Sequence, residues 1–250
     1  MTLYYLSDLD GSIESYREAI RLSPGYAEAY CNLSLVYRAK GRYDDALFYV
    51  RRGHELGTKT RNWAYPSDRW LAEAERLTEV DRAFDADRIP LETRAPGQAA
   101  AWAEVCYGRD YLYASAKLWS VVGRFRGSDR FSPTTRANAR TQRLLALIRI
   151  GVGEGKDTQS VTDASREQFR RLAIRLMRED LDRFREAAAR TTTGRLNGVR
   201  TTVLNWRISV GMDYVRSRRH LAKLSREERE QLHGIWTDYD ELIEDLRAED

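Results

Sequence analysis

The stretch Ala27–Thr58, A-E-A-Y-C-N-L-S-L-V-Y-R-A-K-G-R-Y-D-D-A-L-F-Y-V-R-R-G-H-E-L-G-T, decides the fold. Tyr30, Leu33 and Tyr37 recur at three and four residues, the spacing that gathers side chains on one face of a helix. Gly41 ends that helix, since glycine accepts the left-handed conformation of a helix terminus without steric cost. Tyr43, Ala46 and Val50 then mark a second helix, and the small residues Ala46 and Gly53 let the two approach closely. Two helices joined by so short a turn form a hairpin.

Working outward, the same pattern appears 34 residues earlier. Tyr16, Ala19 and Pro24 align with Val50, Gly53 and Thr58, and Ser7, Leu9 and Ser12 align with Gly41, Tyr43 and Ala46. Counted back from Ala27, this earlier unit would start eight residues before Met1, so its first helix is mostly missing. Leu3, Tyr4, Tyr5 and Leu6 are too few to form the helix against which Ile13, Tyr16 and Ile20 would pack. The expectation is a partial unit over 1–26, a complete unit over 27–58, and a chain that is the C-terminal piece of a longer array.

Downstream, 58–66 reads as a loop, and Ser67 with Asp68 offers an N-cap for a helix through about Leu77. Residues 59–96 are expected to be a linker carrying that one helix. Ala99–Tyr107 with Tyr111–Val122, and Thr134–Ile150 with Ser165–Ala188, read as degenerate hairpins within 97–250. In the last of these Ile174, Met177, Leu181 and Phe184 form a packing stripe. Ser225 with Glu228 makes a capping box for a terminal helix, whose apolar face runs through Leu232, Ile235, Trp236, Tyr239, Leu242, Ile243 and Leu246. No run of alternating β-branched residues suggests a sheet, so the class is all-α.

The order Y-x-x-L-S-x-x-Y, G-x-Y-x-x-A and a small residue at Gly53 resembles the tetratricopeptide repeat family, departing at Ser34, Gly53 and Thr58. The resemblance implies helical hairpins stacked as a short right-handed solenoid, closed by a capping helix. It also implies a concave surface lined by the first helix of each unit, here Glu28, Cys31, Leu35, Arg38 and Ala39. Some members of the family bind C-terminal carboxylates through basic and amide groups on that surface. Only Asn32 matches such a clamp, so a less charged peptide or helix suits the groove better. A second resemblance joins RRGHELG (51–57), WAYPS (63–67) and WLAEAERL (70–77) to the C-terminal region of large bacterial serine/threonine kinases that carry such arrays. It implies a bacterial protein, an arm downstream of a kinase domain and that domain as a partner, without kinase activity in this chain. There is no glycine-rich phosphate loop after a strand, no H-R-D and no D-F-G.

Composition sets further bounds. A chain with 42% hydrophobic and 32% charged residues suits a folded domain with a charged surface. Cys31 and Cys106 are too few and too far apart for a disulfide framework and read as small buried hydrophobes. They suit a reducing, cytoplasmic setting. No apolar run approaches the roughly 18 residues of a membrane span. G-V-G-E-G-K (151–156) fails as a phosphate loop: Ile150 stands where the first glycine belongs and Asp157 where Ser or Thr belongs. His54, His220 and His233 have no metal-ligand spacing. Glu179, Asp180 and Asp182 read as solvated partners of Arg178, Arg183 and Arg185. No enzyme, cofactor or metal is expected.

The net charge of +4 is concentrated in two stretches, 117–149 and 195–223. With nearby Tyr111, Tyr113, Trp119 and Phe125, the first offers an alternative reading as a nucleic-acid face built on Arg136, Arg140 and Arg143. The competing reading, favoured here, is a solvated surface balanced by acids elsewhere. The leading expectation is therefore a non-catalytic scaffold that binds a peptide or helix through Glu28, Cys31, Asn32, Leu35 and Arg38.

Overall fold

The computed structural model describes residues 8–124, 133–191, 196–207, 212 and 217–248. The described residues are all-α, as expected: α1 Leu9–Leu22, α2 Ala27–Ala39, α3 Tyr43–Gly57, α4 Ser67–Arg82, α5 Pro96–Gly108, α6 Leu112–Arg124, α7 Pro133–Gly151, α8 Asp163–Ala189, α9 Leu196–Arg207, α10 Arg218–Leu221 and α11 Arg226–Ala248. A 3-10 turn lies at Ala86–Arg88. The chain divides into two compact units, one ending at Ala139 and the other beginning at Arg140.

In the first unit the α2–α3 hairpin forms where the aromatic spacing places it. Gly41 has φ +70, and the N–H groups of Gly41 and Arg42 reach back to the carbonyls of Arg38 and Tyr37, each at 2.9 Å. Leu33, Tyr37 and Ala46 are buried with Ile13 of α1, and Tyr49 stacks on Tyr37 at 5.2 Å between ring centres. Gly53 has a physical reason: a Cβ there would lie 2.5 Å from the Cys31 Sγ and 3.0 Å from the Ala27 carbonyl oxygen. A thiol one helix away has taken the volume that alanine would need.

At the next junction Ser67 does not cap α4. Pro66 is the N-cap, and Ser67 is the first helical residue, 2% exposed. Its Oγ accepts the Trp63 indole N–H at 2.9 Å and lies 2.8 Å from His54 Nδ1 on α3. A side chain so engaged within the interior is unavailable to its own backbone. The helix also runs past Leu77, to Arg82. Trp63 in turn lies against Gly57, where a Cβ would meet three indole atoms at 2.4–2.6 Å. Residues 59–96 are accordingly more than a tether: Leu77 is buried with Tyr43, Ala101 and Val105, while Phe84, Ile89 and Leu91 pack on the α5–α6 core. The α5–α6 hairpin closes through Tyr111 N–H to the Cys106 carbonyl at 2.8 Å and Ser115 Oγ to the Ala103 carbonyl at 2.8 Å.

In the second unit α7 and α8 run antiparallel. Arg140 on α7 meets Asp180 and Glu179 on α8, while Arg170 donates to the Gly151 carbonyl at 2.9 Å. Asp180 is buried, not solvated, and takes both Arg140 and Arg183. Gly151–Lys156 is the end of α7 and the turn after it. Lys223 donates to its Val152 carbonyl at 2.7 Å. The capping box forms as read, with Glu228 N–H to Ser225 Oγ at 3.1 Å and Ser225 N–H to Glu228 Oε2 at 2.7 Å. Ile174, Met177 and Leu181 are buried, and Tyr239 of α11 donates to the Met177 carbonyl at 3.2 Å.

Gly57→Ala must displace the Trp63 ring and is expected to cost about 1–3 kcal/mol. Gly25→Ala, with nothing within 4 Å of its Cβ, should be near neutral. Urea unfolding followed by tryptophan fluorescence separates the two, and equal midpoints would refute the packing argument. Burial opposes the Glu228 charge, yet Arg170 at 2.7 Å and the Ser225 N–H hold the carboxyl below its ordinary range. Its contribution is complete above the unfolded carboxylate range and lost as pH falls through the lower folded value. Glu228→Gln should therefore weaken the fold at neutral pH and flatten the acid limb of an unfolding titration.

Candidate interaction face

Helix α2 is covered on most sides by α1 and α3, and what it leaves accessible is narrow. Glu28, Asn32 and Leu35 are half-exposed at positions i, i+4 and i+7, followed by exposed Ala39. Among the described residues, the Asn32 amide and the Glu28 carboxylate form no hydrogen bond or ion pair. The strip thus offers an acid, an amide and one branched apolar side chain along about 10 Å of helix.

Cys31 and Arg38, expected on the same face, are placed differently. Cys31 is 2% exposed between α2 and α3; burial, then the nearby Glu28, pushes its thiol up to about 11. It stays protonated and works as a packing atom. Arg38 is turned into the molecule. Its guanidinium forks onto Glu104 of α5, through Nε to Oε1 and through Nη2 to Oε2 at 2.7 Å, and also reaches Glu73 Oε1 of α4 at 3.1 Å. Burial works against the charge, but Glu104 and then Glu73 outweigh it and raise the Arg38 pKa. The cluster extends further: Tyr43 O–H donates to the Glu104 carbonyl at 3.0 Å, and Thr78 Oγ1 donates to the Tyr43 carbonyl at 3.1 Å. Burial, with Glu104 next, drives the Tyr43 hydroxyl well above its ordinary pKa, so it remains a donor.

Sequence reasoning did not single out Glu104. The signal was there in principle. Glu104 is the lone charge in A-A-A-W-A-E-V-C (99–106), and a carboxylate inside an apolar helix has to find a cation.

Within 117–149, three basic side chains meet carboxylates. Lys117 pairs with Glu92 at 2.9 Å, Arg149 with Glu154 at 3.4 Å, and Arg140 with Glu179 at 2.9 Å and with Asp180. Arg143 is half-buried, and the side chain of Arg136 lies outside the described residues. Arg140 is thereby committed to the α7–α8 interface.

Two family models match this part of the chain, one described as TPR repeat over residues 2–41 and one as tetratricopeptide repeat over 27–56. Together they cover residues 2–56, and that segment is similar to tetratricopeptide repeats. Comparison with curated proteins and with solved structures finds no match. Tetratricopeptide repeats are generally protein–protein interaction modules. Among the described residues, no helix of the tetratricopeptide segment or beyond it is long and apolar enough to cross a membrane. Nor does any group of three or more His, Cys, Asp or Glu among them suit a metal ion.

Glu104→Gln leaves a half-buried guanidinium under-compensated and is expected to cost about 2–3 kcal/mol. Arg38→Met should cost a similar amount, and Arg38→Met with Glu104→Leu much less than the two losses added together. A double variant that loses the full sum would refute the coupling.

Proposed function

We propose that the tetratricopeptide segment is a non-catalytic docking element that binds a peptide or short helix of a partner protein along the Glu28–Asn32–Leu35 strip of α2. The observation that carries this is the division of labour on that helix. Cys31 and Arg38 are consumed by packing and ion pairing, while Leu35 stays half-exposed between an uncommitted amide and the end of the helix. A partner side chain of ordinary apolar size can cover Leu35, and Asn32 can both donate to and accept from the partner. Arg38 contributes indirectly, by fixing α2 against α4 and α5.

The sequence resemblance of 51–77 to the C-terminal region of bacterial kinases supports a role as the arm of a larger, cytoplasmic assembly in which a kinase domain is one partner. The packing of Gly57, Trp63 and Ser67 accounts for much of that run in structural terms.

Leu35→Asp and Glu28→Lys are expected to reduce capture of the partner at least tenfold in a pull-down while leaving the helical circular dichroism unchanged. Undiminished capture by both variants would remove the strip from consideration.

A further inference from the structure

A second surface lies on α3 and α4, where the Phe48 ring meets only the Tyr49 ring, edge-on at 5.1 Å, among the ring contacts of the described residues. Phe48 is 64% exposed, the most exposed aromatic side chain among the described residues, and sits in the middle of α3 where a polar residue would cost nothing. It belongs to a strip of α3 formed by Asp44, Leu47, Phe48 and Arg51, at positions i, i+3, i+4 and i+7. Across from it runs the α4 strip Glu75, Thr78, Glu79 and Arg82. Leu47, Arg51 and the α4 strip line a cavity of about 480 Å³. The apolar side chains of the lining are Leu47 and Ala83. Ion pairs bridge it at both ends, Arg51 to Glu75 at 3.3 Å and Arg82 to Asp44 at 2.6 Å.

We infer that this α3–α4 furrow is a docking groove for an amphipathic α-helix of a partner protein, with an apolar ridge on Phe48 and Leu47 and a lysine or arginine beside Glu79. Two features select this occupant. First, most of the wall is interior helix, whose backbone N–H and C=O groups are already paired, and only one end of the furrow is formed by the first turn of α3 and the last turn of α4. An extended peptide would find no backbone partners there and would leave its own groups unmet, whereas a helix brings its hydrogen bonds with it. Parallel strips at three- and four-residue spacing are also the ridges between which a third helix seats. Second, the charges do not cancel. Arg51 and Arg82 are matched by Glu75 and Asp44, which leaves Glu79 with no ion pair among the described residues. A cation at the edge of the incoming helix completes the set.

This groove is independent of the α2 strip, and the test keeps them apart. The probe is a synthetic amphipathic peptide of about five helical turns, with leucine at i, i+3, i+4 and i+7 and lysine flanking the ridge. Its controls carry the same composition with the leucines scattered, or glutamate in place of the flanking lysine. Binding is followed by fluorescence anisotropy and by amide shift mapping. The lysine-flanked peptide is expected to bind the full chain at least tenfold more tightly than either control, with shifts confined to 44–51 and 75–83. Phe48→Glu should weaken it at least tenfold with unchanged circular dichroism, Glu79→Lys should reverse the preference between the lysine- and glutamate-flanked peptides, and Leu35→Asp should leave binding intact. Absence of binding, equal binding of the scattered control, indifference to Phe48→Glu, or shifts centred on α2 would each overturn the inference. None of those results bears on the α2 strip except the last, which would favour it.

Discussion

One guanidinium ties three helices together. Arg38 leaves α2 and divides its donors between Glu104 of α5 and Glu73 of α4. An arginine taken this far from water is tolerable only if its charge and its fork of donors are both met. Two carboxylates do this, and the arrangement sets the geometry around it. With α5 held on the α2 side, Tyr43 at the start of α3 reaches the Glu104 carbonyl, and Gly41 and Gly108 approach until a Cβ on either would be within 3.2 Å of the other's Cα. Hydrophobic burial of Leu77, Ala101 and Val105 gives this junction its cohesion. It does not choose an angle, because apolar contact is non-directional. The forked ion pair and the two hydroxyl bonds supply the direction.

A second joint, between α3 and α4, follows the same logic with neutral groups. Gly53 and Gly57 lie a turn apart on α3, one admitting the Cys31 thiol and the other the Trp63 indole. Trp63 then has to place its N–H, and Ser67 receives it while also meeting His54. The hydroxyl that a local reading gives to the helix terminus serves the indole and the imidazole instead. A buried donor left unmet costs more than an unmet N–H at a helix end, which water can still reach.

These two joints mark the boundary of what could be read in the sequence. Helices whose faces are written in residues three and four apart were legible, including the hairpin at Tyr30–Val50, the Ile174–Leu181 stripe and the box at Ser225 and Glu228, since each depends on neighbours within one or two turns. Local reading erred where a side chain is claimed from far along the chain. Ser67 is captured by His54, Asp180 by Arg140, and Arg38 by a glutamate 66 residues away. The candidate groove suffered most from this, because its members were placed by repeat geometry alone and two of the five, Cys31 and Arg38, are engaged within the chain. Cys31 occupies a groove position in the repeat yet is buried against Gly53, as the small hydrophobe that composition suggested, and Arg38 is half-buried with its guanidinium tied to α5. Glu28, Asn32 and Leu35 kept their expected exposure because nothing in the chain competes for them.

The departures from the repeat pattern are therefore informative about where a partner can act. A regular array would present the inner face of successive first helices as one continuous surface. Here α5 lies against the end of α2 and binds its arginine, so the accessible part of that face shrinks to the first two turns. A strip of that length supports modest affinity at most, since a handful of side chains must offset the loss of freedom on association. The exposed Phe48 and the furrow beside it lie on helices whose mutual angle is already set by Gly57, Trp63 and Ser67, so little conformational freedom remains to be lost there on docking. Rigid helical walls, an exposed aromatic ring and an unbalanced carboxylate suit a second contact, and the two proposed surfaces, on α2 and between α3 and α4, would reinforce each other for a single partner that spans both.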